Sequence, residues 1–111
     1  MPDPTRVPAG ALTPIELVYV LRSETVDLSK ATSARFVLRR NRGQAADESW
    51  TATIRSKSPR CLTLARPFEA GDVPVPDDIV FEPRVLTSLG PGEVVGRTRT
   101  LVVFDHPAVH R

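Results

Sequence analysis

Cysteine is nearly missing from this 111-residue chain: Cys61 stands alone. It closes no internal disulfide and anchors no cysteine-based metal cluster. A nucleophilic role for it needs a histidine base, and the chain has two histidines, His106 and His110, both in the tail "DHPAVHR". Histidines four apart chelate a metal when a helix places both on one face; Pro107 between them works against that helix. No apolar run approaches the ~18 residues of a membrane-spanning helix. The opening "MPDPTRVPAGALTP" has no cationic-then-apolar signal pattern. The expectation is a soluble, unsecreted chain with no membrane partner.

Nucleotide-binding glycine motifs are absent as well. "GPGEVVG" has the wrong spacing, and its central proline lacks the backbone donor a phosphate needs. Asp77 and Asp78 adjoin one another, but two neighbouring carboxylates are too few to define a cation site. These absences lead to an expectation of no catalytic residues, no cofactor and no metal. Aromatics are also few: one Trp, one Tyr and four Phe. A carbohydrate module or single-strand binder wants such rings exposed for stacking.

Charge of one sign is not in excess. Fifteen basic residues face 13 acidic ones, for a net +2, which is weak pressure toward nucleic acid. Thirteen of the fifteen are arginines. Arginine suits bidentate pairing and protein contacts; codon bias in a GC-rich genome gives the same skew.

What the chain does have is alternation. "ARFVLRR" places Ala34, Phe36 and Leu38 on one side and Arg35, Val37 and Arg39 on the other. "WTATIRS" sets Trp50, Ala52 and Ile54 against Thr51, Thr53 and Arg55. A period of two is a sheet with one dry and one wet face. "IELVYVLR" has Ile15, Leu17, Tyr19 and Leu21 on one face and Val18 and Val20 opposite, which predicts a strand buried on much of both faces. "CLTLA" turns Leu62 and Leu64 inward. "IVFEPRVLTSL" is interrupted at Pro83, which suits an edge or a bulge. "GPGE" is expected to be a turn, and "VVGRTRTLVVF" to be the last strand, with Arg97 and Arg99 opposite Thr98 and Thr100. In "SETVDLSKA", Asp27 and Ser29 are placed to bond back to the main chain.

Helical spacing is not sustained anywhere, although "FEAGD" has room for one turn. About seven short strands with turn signals between them predict an all-β, immunoglobulin-like antiparallel β-sandwich. The expected organisation is an extended proline-rich N-terminal arm over 1–14, a β-sandwich domain over 15–105 and a C-terminal tail over 106–111. The arm is either a frayed terminus or a tie onto a neighbouring subunit.

The candidate partner contacts are Arg35, Arg39, Arg55, Arg97 and Arg99, all read as outward strand positions. Sharing a sheet, they make a basic face on which phosphates dock, so a nucleic-acid-binding β-domain is one reading. Glu48, Glu82 and Glu93 are near enough in sequence to neutralise part of that face. Arginine is enriched at protein interfaces, which favours a subunit contact.

The order of the pieces carries a family resemblance. An apolar strand is followed by Asp27, Leu28, Ser29, Ala31 and Thr32, then by Arg35, Phe36, Leu38, Arg39 and Gly43, a "DLSxAT" turn leading into "xRFxLR" and a glycine. Gly71 and Asp72 form a later "GD" loop. Gly90 and Gly92 precede a closing strand at 101–104. From about 15 to 104 the chain resembles the immunoglobulin-like N-terminal domain of phage baseplate and tail-associated proteins, the baseplate upper protein type. Phe81 stands where that family has a tyrosine, and the glycine before it is missing. The resemblance implies a non-enzymatic structural component of a bacteriophage or phage-like particle, found in the virion and, during assembly, in the host cytoplasm. It implies contacts with other virion or tail proteins and with further copies of this chain. The chain stops where such a domain stops, so a small adaptor, decoration or tail-completion role is expected.

Overall fold

The computed structural model describes residues 5–41 and 47–105. His106, His110, Gly43 and residues 1–4 lie outside the described residues. Eight strands form the fold: β1 (Thr5–Pro8), β2 (Glu16–Arg22), β3 (Ala31–Arg40), β4 (Glu48–Lys57), β5 (Cys61–Pro67), β6 (Asp77–Thr87), β7 (Gly90–Val95) and β8 (Arg99–Phe104). Among the described residues the sole helical element is a single 3-10 turn, Leu28–Lys30. No helix of the described residues is long and apolar enough to cross a membrane.

The strands hydrogen-bond in the order β1-β8-β6-β3-β4-β5-β2, with β7 also on β6, and this eight-stranded sheet comes close to closing into a barrel. All pairings are antiparallel except β1 with β8, which is parallel. The curvature concentrates in β4. Its first half pairs with β3, from Glu48 to Ala52, and its second half with β5, from Thr53 to Lys57. A register shift between Ile54 and Ser56 marks the bulge that bends it.

The alternation read from the sequence places the core. Phe36, Leu38, Leu62, Leu64, Ile79 and Leu101 are all fully buried. Phe81 packs edge-on against Phe36 at 5.6 Å and against Tyr19 at 6.3 Å. Trp50 meets Phe68 in the same manner at 6.0 Å. Such edge-to-face ring pairs add to the stabilisation given by the area they bury.

Four expectations need correction. β2 is buried on one face only: Leu17, Tyr19 and Leu21 are inside, while Val18 and Val20 are 49% and 40% exposed. β2 is the last strand of the sheet, and among the described residues its outer valines stay half exposed. Second, "GPGE" is not the turn. The turn falls at Ser88 and Leu89, where the Leu89 amide donates to Thr87 Oγ1 at 3.2 Å, and Gly90 already pairs with Thr87. Third, the final segment is two strands. β7 and β8 pair with different halves of β6, separated by residues 96–98. Fourth, β6 runs unbroken through a buried Pro83. The Pro83 carbonyl accepts from the Gly96 amide at 3.0 Å, so the side lacking a donor faces the point where β6 changes partner from β8 to β7. A missing N–H breaks no ladder there. "FEAGD" is a turn rather than a helix, closed by the Asp72 amide donating to the Glu69 carbonyl at 3.0 Å.

The described part of the proline-rich segment, from Thr5 onward, runs along this chain's own sheet. Val7 is buried, and the Ala9 amide donates to the Phe104 carbonyl at 2.8 Å.

Candidate protein-contact surface

β3 and β6 lie side by side with Arg35 opposite Arg84, Val37 opposite Glu82 and Arg39 opposite Val80. Inward packing of Phe36, Leu38 and Phe81 forces these residues onto the outer face. Like charges directly opposite destabilise a sheet, and Glu93 on β7 relieves the conflict. Arg35 donates to it twice, Nε to Oε2 and Nη2 to Oε1, both at 3.1 Å, while Arg84 Nη1 lies 3.7 Å from the same Oε1. Arg84 also pairs with Glu82 at 2.7 Å, and Thr98 donates to Glu82 at 3.4 Å. The paired hydrogen bonds from Arg35 hold the Glu93 carboxyl below its ordinary value of 4.5, against a partial loss of solvent, with Arg84 adding to the effect. They raise the Arg35 guanidinium in turn.

The other predicted arginines are spread apart. Arg39 pairs with Asp47 at 2.9 Å. Arg55, the extra residue of the β4 bulge, pairs with Glu16 across the second half of the sheet. Arg97 is not on a strand but in the 96–98 crossover. Arg99 opens β8, opposite Phe81, and so shares the inner face with Leu101 and Val103. Its guanidinium lies 4.7 Å from the centre of the Tyr19 ring. The expectation that all five point outward on one face is therefore corrected. Arg35 and Arg39 share a face, Arg55 sits on the bend, and Arg97 and Arg99 stand where β2 approaches β7 and β8. The parity of Arg99 with Leu101 was the signal in the text; a cation stacked on Tyr19 is what makes an inward arginine tolerable there.

Two groupings went unread in the sequence. Arg66 lies on the inner face of β5, opposite Leu17. It donates to both oxygens of Asp72, at 3.1 and 3.0 Å, and lies 4.8 Å over the Trp50 ring. Asp72 also accepts from the Glu69 amide at 2.8 Å, so the loop after β5 is pinned to the sheet. Arg40 likewise pairs with Glu48, and those hydrogen bonds raise its guanidinium. Cys61 sits at the start of β5, with the Arg22 guanidinium 3.2 Å from Sγ. Asp77 and Asp78 begin β6 on opposite faces of the strand. Among the described residues no three His, Cys, Asp or Glu side chains cluster to hold a metal.

A different surface carries two exposed valines. On the outer side of β4, β5 and β2, Val18 lies in a row with Ala65 and Thr53, and Val20 in a row with Thr63 and Ser56. The Arg55–Glu16 pair closes one end of this patch. Compared with protein-family models, with curated proteins and with solved structures, the chain finds no match.

Proposed function

We propose that this chain is a non-enzymatic structural component of a bacteriophage or phage-like particle, a tail, baseplate, adaptor or decoration protein acting through protein–protein contacts. Its fold in this reading is immunoglobulin-like: β1, β8, β6 and β3 form one layer, β5 and β2 the other, and β4 crosses between them. The family resemblance over 15–104 supports it. Several of its described motif residues serve the framework: Asp27 caps the 3-10 turn by accepting from the Ser29 amide at 3.0 Å, and Phe36 and Leu38 fill the core.

The observation that carries the contact role is the Val18–Val20 patch. Two half-exposed valines on an uncovered sheet face, among small and hydroxyl side chains and beside an internally satisfied ion pair, have the character of the dry centre of an interface. A nucleic-acid-binding β-domain is less well supported. The guanidinium groups of the outer face of β3 and β6 are held by carboxylates of the same chain, which leaves little free charge for phosphates.

The test is made on particles. Phage-like particles are induced and banded by density from cells encoding this chain, and their protein is probed for it. The chain should co-band with particles, and a Val18→Lys variant, its valine being exposed, should fold but stay in the soluble fraction. Absence of the chain from banded particles, or unchanged incorporation of Val18→Lys, would overturn the reading. Retention on immobilised DNA that weakens steeply with salt would favour nucleic acid instead.

A further inference from the structure

The barrel stays open along one seam, between β2 on one side and β7 with the start of β8 on the other. Among the described residues no ladder joins these strands. One side-chain hydrogen bond spans the gap, from the Tyr19 hydroxyl to the Arg97 carbonyl at 2.9 Å. The gap holds a groove of about 590 Å3, floored by Leu21, Val94 and Gly96.

Main-chain groups face this groove from both sides. At the two ends of β2, the Ile15 carbonyl and the Ser23 amide bond toward β5. Alternation along an antiparallel strand then turns the N–H and C=O of Val18, Val20 and Arg22 away from β5, into the seam. Opposite them, Gly96 bonds toward β6, so Val95 and Arg97 present their main chain to the same gap. Among the described residues these are two strand edges with no ladder between them, and the Arg97 carbonyl is taken by the Tyr19 hydroxyl.

The charge is equally one-sided. Arg22, Arg97 and Arg99 line the groove, and among the described residues no aspartate or glutamate does. Seven of the 11 described arginines hold a carboxylate. The remainder are Arg6 and the three at the seam. Three of the four described arginines without a carboxylate thus gather at the seam, Arg22 also donating to Cys61 Sγ and Arg99 stacking on Tyr19.

We infer that this seam is a docking site for an extended acidic segment of a partner protein, which enters as an added strand and completes the barrel. Its main chain bonds to the edges of β2 and β7, its carboxylates meet Arg22 and Arg97, and its intervening apolar side chains rest on Val94 and Leu21. Such strand addition draws affinity from main-chain bonds and specificity from alternate side chains. β2, at seven residues, offers an edge of about 23 Å at ~3.3 Å per residue. The inference goes beyond the particle role and does not rest on it: it is read on the isolated chain, so either experiment can fail while the other succeeds.

The probe is an end-blocked ten-residue peptide alternating glutamate and valine, titrated into the 15N-labelled full chain. Shifts should be confined to amides of 16–22 and 93–99. The Arg22→Glu and Arg97→Glu variants, both at exposed positions, should keep the remaining spectrum and bind at least tenfold more weakly. The same peptide N-methylated at alternate residues should lose binding by a similar factor, and its valine–lysine counterpart should not bind. Absence of shifts at millimolar peptide, shifts centred elsewhere, or binding that survives N-methylation would overturn the inference. So would an oligothymidylate that occupies the same amides more tightly than the peptide, since charge alone would then suffice.

Discussion

A methyl group at position 96 would lie 2.5 Å from Pro83 Cγ, 2.8 Å from Leu21 Cδ1 and 3.1 Å from the Tyr19 hydroxyl. These are packed groups with little space to yield. Gly96→Ala should therefore destabilise the fold by about 1–3 kcal/mol, the usual cost of overpacking, read as a lowered urea midpoint. Gly92, where nothing lies within 4 Å, is the control, and its alanine variant should fall within ~0.5 kcal/mol of the parent. Deeper in the core, Phe36 is fully buried and touches the Phe81 ring edge. Phe36→Ala should cost about 3–5 kcal/mol, a large part of the stability of any domain this size. Two carboxylates contribute to the acid response. Hydrogen bonds from Ser29 lower Asp27 from 3.8, and those from Arg35 lower Glu93 from 4.5. A depressed folded value stabilises above the unfolded value and is lost as pH falls through the folded one. Stability should thus start to drop as pH passes below 4.5 for Glu93 and 3.8 for Asp27. Glu93→Gln should flatten the upper part of that acid limb in denaturation midpoints measured from pH 6 to pH 2.

The strands differ in how openly the sequence announces them. β3, β4 and most of β5 were legible because a one-sided core enforces alternation, broken in β5 where Leu64 and Ala65 are both buried, and their turns carry Asp27, Ser29 and Pro59. β2 misled because valine at 18 and 20 reads as buried, whereas the fold leaves that face uncovered. Burial is a property of the neighbouring layer, which local text does not encode. Pro83 misled for a related reason. Proline excludes a central strand only if its missing donor faces a ladder, and here it faces a change of partner. Of the candidate residues, Arg35, Arg39 and Arg55 were found by parity, and Glu93 was among the carboxylates expected to neutralise part of their face, but its pairing with Arg35 and the partners Asp47 and Glu16 were not assigned. Glu93 and Glu16 lie 58 and 39 positions away in sequence, and only the closed sheet brings them near. Arg99 was separable by its parity with Leu101; Arg22 and Arg97 were not, without knowing which edges remain open. β1 makes its own prediction. It covers the outer edge of β8 and buries Val7, so removing residues 1–8 should cost at least the ~1.5–3 kcal/mol of one buried valine. It should also raise amide exchange along residues 99–104.

Across the whole molecule, one strand is shared. β4 gives its first half to β3 and its second to β5, so the two sides of the sheet cannot separate without breaking it. Unfolding should therefore be a single cooperative transition, with tryptophan fluorescence at Trp50 and far-ultraviolet dichroism changing together. The parallel pairing of β1 with β8 sets Thr5 beside Leu101 and Pro8 beside Phe104. Tension applied at Thr5 and at Phe104 would pull these two neighbours in opposite directions along their shared axis. Every rung between them would bear the load at once, instead of opening one after another like a zip. Single-molecule stretching from those points should meet an abrupt, high-force rupture, the response of a mechanical clamp.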